Sequence, residues 1–264
     1  MDETAWKQVN ITYPGADRHQ RERRAVDHLV RVLPAAEADG LLTAWFFIRK
    51  GAWRLRYLPT AANSRDEPNP DPVHRVLTDG VRWTPDIYEP EVHAFGGPSS
   101  MDIAHALFHH DSRHLLTFLR DDPADRREHS LFLCTALMRA AGLDANEQGD
   151  VWARIVEQRP GLADLPADPQ VRASFISDVR HFLLGDARAD LIAPGWLTAF
   201  QQAGSGLRNL RGEGRLTRGI RAIISLHVIF HWNRLGIAAT AQATLARAAR
   251  EALFDSVPGC HREH

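Results

Sequence analysis

Two arginines in the first third of the chain have the type and spacing expected of a site for an anionic group. Arg54 and Arg56 are two residues apart in a W-R-L-R-Y run. Because successive side chains of a strand point to opposite faces, both guanidinium groups would lie on one face. Such a pair needs water, a carboxylate or an anionic ligand, and Glu89 and Glu91 are candidate carboxylates. A structural Arg–Glu network and a ligand site both fit this pattern.

A second group with acid–base potential lies late in the chain. His227, His231 and Arg234 recur at intervals of four and three residues, so they share one face of a predicted helix. Histidine changes charge near neutral pH, which makes both histidines candidates for proton transfer. Burial with a hydrogen bond to a backbone carbonyl is the alternative for either one. Two histidines at this spacing could bind zinc with a third ligand, but no H-E-x-x-H motif occurs and we expect no metal.

The elements that would position these residues change in type along the chain. Alternating apolar residues predict strands over 6–13, 42–48, 53–58 and 81–88, with a turn at Gly51 joining the middle two. Helical periodicity predicts helices over 19–32, 101–119, 130–141, 151–157, 170–184, 196–203, 217–235 and 240–254. The glycine-bearing stretch 204–214 is predicted to be a loop.

This succession predicts an α+β fold in which an N-terminal antiparallel sheet precedes a largely helical C-terminal half. We expect a single compact unit and one domain over 1–264, strand-rich over 1–98 and helical over 99–256. The hydrophobic content of 44% is sufficient for a sizeable core. Two glycines, Gly96 and Gly97, are predicted to form a tight turn that allows a close approach of substrate or another strand.

Composition and missing motifs narrow the function. A net charge of −1 and the absence of a local Lys/Arg run give no indication of nucleic-acid binding. Neither an apolar run approaching ~18 residues nor a signal peptide is present, so we expect a cytosolic protein without a membrane partner. Cys134 and Cys260 make neither a disulfide framework nor a metal cluster. Hydrolase, kinase and redox motifs are missing, and we expect no cofactor.

Several short blocks occur in a characteristic order. They are W-F-F-I-R at 45–49, W-R-L-R at 53–56, Y-E-P-E at 88–91, G-G at 96–97, F-x-x-D-S at 108–112 and N-R-L at 233–235. The succession resembles the C-terminal elimination domain of class I lanthipeptide dehydratases and its stand-alone relatives in thiopeptide biosynthesis, including pyridine synthases. The resemblance covers roughly 6–254. It implies an enzyme acting on a leader-bearing, ribosomally made peptide, with a dehydratase of the same pathway as a further partner.

Two departures from the family pattern bear on the reaction. Some members eliminate glutamate from glutamylated Ser or Thr, and these typically show R-Y-G-G and H-M-x-x-N-R blocks. Here Ala94 stands at the place of the Arg and Ile229 at the place of the His. We therefore favour the other reaction, a formal 4+2 cycloaddition of two dehydroalanines with loss of water and leader peptide, which gives a pyridine. Glutamate elimination beside a split dehydratase is the first alternative, and a non-catalytic leader-binding module is the second.

Candidate site residues follow from residue type and resemblance together. The candidates for acid–base and electrostatic catalysis are His231, Arg54, Arg56, Tyr88 and His227. The candidates for peptide binding are Arg21, Arg23, Arg24, Trp53, Glu89, Glu91, Phe95 and Arg234. The three arginines of the first helix would meet an acidic leader, with a solvated helix face as their alternative. Asp111 and Ser112 are assigned a structural role, holding their helix against the sheet or bonding a loop.

Overall fold

The structure is a computed structural model that describes residues 6–60, 71–162, 165–184 and 192–254. Its strands are β1 (Lys7–Thr12), β2 (Leu42–Lys50), β3 (Ala52–Pro59) and β4 (Arg82–Asp86). Its helices are α1 (Arg18–Ala38), α2 (Pro72–Thr78), α3 (Pro98–Arg120), α4 (Arg126–Ala140), α5 (Ala145–Glu157), α6 (Pro169–Leu184), α7 (Pro194–Gly212), α8 (Ile220–Leu235) and α9 (Ala239–Phe254). The predicted α+β class, with an N-terminal antiparallel sheet followed by a largely helical C-terminal half, is confirmed.

The described strands form an antiparallel sheet in the order β2-β3-β1-β4. The predicted turn between β2 and β3 is present, and Gly51 has a φ of 75°, a backbone conformation that favours glycine. Burial alternates along β3 as expected for a strand with one face against the core. The apolar face carries Leu55 together with Val9 and Ile11 of β1, all fully buried.

Backbone contacts group the described residues into two compact units. The first contains 6–60, 71–90, 105–124 and 233–235, and so holds the sheet, α1 and α2. The second contains 91–104, 125–162, 165–184, 192–232 and 236–254, and so holds α4–α7 and α9. Segments of the two units alternate along the sequence. The boundary between the units therefore does not coincide with the change from strands to helices near residue 98. The single domain over 1–264 stays a prediction.

The predicted loop over 204–214 is wrong, because α7 continues through it to Gly212. Gly204 lies inside α7 where α4 approaches closely. A Cβ atom at Gly204 would lie 2.3 Å from the Leu137 carbonyl oxygen and 2.8 Å from the Ala140 Cβ. This glycine therefore permits close helix packing instead of ending the helix. The turn at 96–97 does allow a close approach, and the neighbour is Ile223 of α8, whose Cδ1 would lie 2.4 Å from a Cβ at Gly96.

Two further helices differ from prediction: one begins earlier than expected, and the other was not predicted. Helix α5 starts at Ala145, earlier than predicted, because Asp144 and Glu147 form a reciprocal capping box. Helix α2 was not predicted, and it begins where the Asp71 side chain accepts hydrogen bonds from the backbone N–H groups of Val73 and His74. No described helix has both the length and the apolar character needed to cross a membrane.

Exchange of Gly204 for alanine should destabilise the protein, since the added methyl must push α4 away from α7. We expect a loss of about 1–3 kcal/mol in the free energy of unfolding. Gly212→Ala is the matched control, because no atom lies within 4 Å of a Cβ at that end of the same helix. There we expect no loss, and up to about 1 kcal/mol of gain from reduced backbone entropy of the unfolded chain. Equal urea midpoints for the two variants would contradict the packing argument.

Candidate active site

Five polar residues of the first unit share one face of the sheet. The register of β3 with β1 places Arg56 opposite Gln8 and Arg54 opposite Asn10, and the register of β1 with β4 places Gln8 opposite Asp86. Both guanidinium-bearing residues are half-buried. The predicted placement of the arginine pair on one face is thus present in the structure. We call this set the arginine face.

Hydrogen bonds connect the arginine face across three strands. Arg56 Nε donates to Gln8 Oε1 at 2.7 Å, and Gln8 Nε2 donates to Asp86 Oδ2. Asn10 Nδ2 donates to the same Asp86 oxygen at 2.9 Å. That bond, supported by the positive charge of Arg54, holds the pKa of the Asp86 carboxyl below its usual range. An ionised carboxylate therefore lies beside the arginine pair.

This carboxylate corrects one sequence-based expectation. Glu89 and Glu91 were the candidate partners of the arginine pair, but both are exposed, and the carboxylate on the arginine face is Asp86. The reason is that β4 ends at Asp86, so the alternation that aligns side chains across the sheet does not extend to the two glutamates. Their proposed contact with a peptide substrate stays a prediction.

A tyrosine–histidine pair adjoins the arginine face within the same unit. The Tyr88 hydroxyl lies 2.8 Å from His105 Nε2, a hydrogen bond in which either group can be the donor. The Arg56 guanidinium carbon lies 4.4 Å from the centre of the Tyr88 ring. On its other side, the His105 ring lies 4.7 Å from the Trp6 ring, measured between centroids. The phenol of Tyr88 and the imidazole of His105 thus lie beside the stacked Arg56 cation. Together these groups are suited to moving a proton near an anion.

Helix α3 is attached to the edge strand β2 by polar side chains. His109 Nδ1 lies 3.0 Å from the Trp45 carbonyl oxygen, and Ser112 Oγ accepts from the Phe47 backbone N–H at 3.4 Å. Burial lowers the pKa of His109, which favours its neutral form. These contacts support the structural role assigned to Ser112. They also turn the face of α3 that carries His105 towards the sheet.

Arg234 and Asp111 form a fully buried ion pair. Arg234 Nε donates to Asp111 Oδ2 at 2.7 Å, and both side chains have no exposed surface. The guanidinium carbon also lies 4.4 Å from the centre of the Phe108 ring. Arg234 was a candidate for peptide binding, but a side chain enclosed in this way is held by the protein itself. The geometry gives Arg234 and Asp111 a structural role.

The other candidates from the late helix lie in the second unit and are buried. His227 Nδ1 lies 3.0 Å from the Ile223 carbonyl oxygen. A buried histidine bonded to a backbone carbonyl was the alternative to a catalytic role for this residue. The His231 ring contacts the Phe200 ring at 5.1 Å between centroids, and the Phe95 ring contacts that of His227 at the same distance. Phe95 has no exposed surface, so the structure places it in the core instead of in contact with a peptide. Catalysis by His227 and His231 stays a prediction.

The three α1 arginines proposed to bind peptide, Arg21, Arg23 and Arg24, are all exposed. Arg21 Nη1 donates to the Gly15 carbonyl oxygen at 3.0 Å, and Arg24 Nη1 donates to the Pro14 carbonyl oxygen at 3.1 Å. Trp53 is largely buried and packs against Phe47 at 4.8 Å between ring centroids. Among these candidates, Arg21 and Trp53 line the same cavity.

Possible metal ligands are dispersed in the part of the chain that the structure describes. There, no three His, Cys, Asp or Glu residues lie close enough together to hold a metal ion. Cys134 is buried in α4, and Cys260 lies outside the described residues. The expectation of a site without metal stays a prediction.

Sequence reasoning missed most of the residues that surround the arginine pair. Gln8 and Asn10 have the same two-residue spacing as the arginines, and two polar residues at that spacing in an apolar strand were a usable signal. Asp86 could not be found this way, because only the register of β4 brings it to this face. His105 pairs with Tyr88 through tertiary structure, which the sequence does not reveal.

The family of the chain follows from a comparison with known proteins. The sequence model of the lantibiotic biosynthesis dehydratase C-terminal family matches residues 6–253. The chain belongs to this family, and the resemblance seen in its sequence blocks is confirmed. Family membership supports a role in modifying a ribosomally made peptide. No curated protein matches the chain.

Solved structures share the fold at low sequence identity. The tRNA-dependent lantibiotic dehydratase MibB from Microbispora sp. 107891 matches with a TM-score of 0.64 and 19% identity, over 97% of this chain and 28% of that chain. TsrL matches with a TM-score of 0.56 and 16% identity, over 95% of both chains. TbtD, a pyridine synthase from thiomuracin biosynthesis, matches with a TM-score of 0.56 and 14% identity, over 95% of this chain and 98% of that chain. The chain thus spans little more than a quarter of the dehydratase but nearly all of TsrL and TbtD.

Exchange of Asp111 for asparagine should strongly destabilise the protein, because it removes the negative charge with which the buried Arg234 guanidinium pairs. We expect a loss of about 3–5 kcal/mol in the free energy of unfolding, measured by urea denaturation. Glu251→Gln is the control, since Glu251 pairs with Arg247 at 3.1 Å on the partly exposed face of α9. That exchange should cost no more than about 0.5 kcal/mol. A similar, small loss for both variants would argue against a structural ion pair.

Proposed function

We propose that this chain is a modification enzyme for a leader-bearing, ribosomally made peptide, and that it forms the pyridine of a thiopeptide macrocycle. The reaction joins two dehydroalanines in a formal 4+2 cycloaddition and then releases water and the leader peptide. The observation that carries the proposal is the arginine face with its adjoining Tyr88–His105 pair. Membership of the dehydratase C-terminal family supports the substrate class.

The groups of this site suit the proton transfers that the reaction needs. A peptide carbonyl must be polarised to favour the iminol form of its amide, and guanidinium groups of Arg54 and Arg56 are suitable donors. The Tyr88 hydroxyl, held by His105, can then exchange a proton with the reacting amide. Binding of the peptide beside these groups would bring diene and dienophile together, and such positioning can remove ~7–11 kcal/mol of the barrier.

The choice of cycloaddition over elimination rests on sequence. Ala94 and Ile229 stand where eliminating members of the family usually carry Arg and His. Without those groups, a glutamyl carboxylate and the Cα proton lose their expected partners. TbtD, which spans the same length as this chain, is described as a pyridine synthase, and this likeness of size and fold supports the same choice.

One contact favours glutamate elimination as a second candidate function. The exposed Arg218 donates from Nη1 to the Ala94 carbonyl oxygen at 3.0 Å. A guanidinium therefore lies beside the position from which the family's Arg is missing. If Arg218 replaced that Arg, it could bind the glutamyl carboxylate of an elimination substrate.

Two substrates separate these functions. One is a glutamylated precursor peptide, and the other carries a leader and two preformed dehydroalanines. With the purified protein we expect mass spectrometry to show consumption of the second substrate, with release of the leader as its amide and of a pyridine macrocycle. Arg54→Ala should slow this reaction while leaving leader affinity nearly unchanged, and the same is expected of His231→Ala. Glutamate loss from the first substrate and no change in the second would identify an eliminating lyase and overturn the proposal.

The role of Tyr88 can be tested by removing its hydroxyl alone. Tyr88→Phe keeps the ring beneath Arg56 but removes the bond to His105, and we expect the rate to fall about 10²–10⁴-fold. Tyr57→Phe is the matched control, because it also removes a buried hydroxyl, which donates to Asp71 Oδ2 at 2.8 Å. That variant should lose about 1 kcal/mol of stability and little rate. Equal rates for the two variants under single-turnover conditions would remove Tyr88 from the proposed chemistry.

A further inference from the structure

A cavity of about 290 Å³ lies beside the first turns of α1 and the β2–β3 turn in the first unit. It is lined by arginines from two elements, Arg18 and Arg21 from α1 and Arg49 from β2, and by the Glu22 carboxylate. Arg49 and Glu22 form a largely buried ion pair. The lining therefore contains three arginines and one carboxylate. We call this cavity the α1 pocket.

The charge of the α1 pocket differs from that of the neighbouring depressions on the same helix. The depression that Arg23 lines also contains Asp27 and Asp122, so its cations are balanced by carboxylates. The one that Arg24 lines contains Asp27 and Asp79 and is balanced in the same way. The α1 pocket differs from these two depressions in having more cations than carboxylates in its lining.

An apolar wall accompanies this charge. Trp53 and Tyr13 line the pocket, and the Arg49 guanidinium carbon lies 4.8 Å from the centre of a Trp53 ring. Gly51 forms one end of the lining, and no atom lies within 4 Å of a Cβ built there, so the pocket is open at the β2–β3 turn. A ligand that fits is a chain segment bearing a carboxylate next to an apolar side chain.

Arg21 is the lining residue best placed to hold that carboxylate. A hydrogen bond from its Nη1 to the Gly15 carbonyl oxygen holds the side chain at the pocket. A guanidinium carries several further N–H donors in a planar fork that matches a carboxylate. Arg21 is exposed, so a ligand can reach it without displacing a core residue.

We infer that the α1 pocket binds an acidic side chain of the leader peptide, with Arg21 as the anchoring donor and Trp53 as the apolar wall. The inference rests on the proposed function for the identity of the peptide. Of the three arginines that sequence reasoning assigned to leader binding, it selects Arg21. It assigns Arg23 and Arg24 to the solvated face of α1.

Arg21→Ala and Arg24→Ala form a matched pair for the test. Each removes one exposed guanidinium from α1 and one hydrogen bond to the turn at Pro14 and Gly15. The probe is the fluorescein-labelled leader region of the precursor peptide whose gene lies nearest to the gene for this protein. It is titrated with the full-length protein, and binding is measured by fluorescence anisotropy. We expect Arg21→Ala to weaken binding about tenfold or more, as loss of a charge-assisted hydrogen bond does. Arg24→Ala should change affinity by less than about twofold.

Equal weakening by the two variants would mean that only the overall charge of α1 matters, and it would overturn the inference. So would unchanged affinity in Arg21→Ala. If the wild-type protein binds no leader, both the proposed function and this inference fail. If it binds and converts the leader-bearing substrate while Arg21→Ala behaves as Arg24→Ala does, this inference alone fails.

Modified probes identify the carboxylate. A leader in which all Asp and Glu residues are changed to Asn and Gln should bind the wild-type protein about tenfold or more weakly, and Arg21→Ala should cause little additional loss with it. A leader with an amidated C-terminus should bind the wild-type protein as the unmodified leader does. If instead the amidated leader is the one that binds weakly, the group recognised is a chain terminus and the side-chain assignment is wrong.

Discussion

The Arg234–Asp111 ion pair is the interaction on which the rest of the first unit depends. Two opposite charges with no exposed surface are tolerable only while they stay together, because either one alone would lie uncompensated in a medium that solvates it poorly. The neighbouring Leu235 carbonyl oxygen accepts from Arg49 at 3.2 Å, and Arg49 in turn pairs with Glu22 of α1. These contacts connect α3, β2 and α1 through the 233–235 segment. They therefore hold Arg49 and Glu22, two residues that line the α1 pocket.

The arginine pair belongs to the same sheet but is under a different constraint. Arg54 and Arg56 are half-buried; Arg56 donates to the Gln8 side-chain amide, and the charge of Arg54 acts on the Asp86 carboxylate at the end of β4. A ligand can reach the half-buried Arg54 and Arg56 from solvent, whereas it cannot reach the enclosed Arg234. Burial and partner geometry, and not residue type, thus distinguish a candidate catalytic arginine from a structural one.

The sequence predicted those parts of this arrangement that depend on neighbouring residues, and it failed for those that depend on residues far apart in the chain. The alternation of β3 predicted the shared face of Arg54 and Arg56, since the pleat of a strand is a local property. The Gly204 region was misjudged, because a glycine that permits two helices to approach has the same local appearance as one that ends a helix. Asp86 and His105 could not be predicted, because each reaches the site through a pairing between elements distant in sequence.

The groups that the sheet provides differ from the groups that decide between the two reactions. Two cations, a strand-end carboxylate and a hydrogen-bonded Tyr–His pair can polarise a carbonyl and transfer a proton, and both elimination and cycloaddition need those operations. The arginine face therefore suits both reactions and does not select between them. Selection must come from groups that differ between the reactions, which are the cation for a glutamyl carboxylate and the base for its Cα proton. On the proposed function, the decision lies with Ala94, its neighbour Arg218 and Ile229, and not with the arginine face.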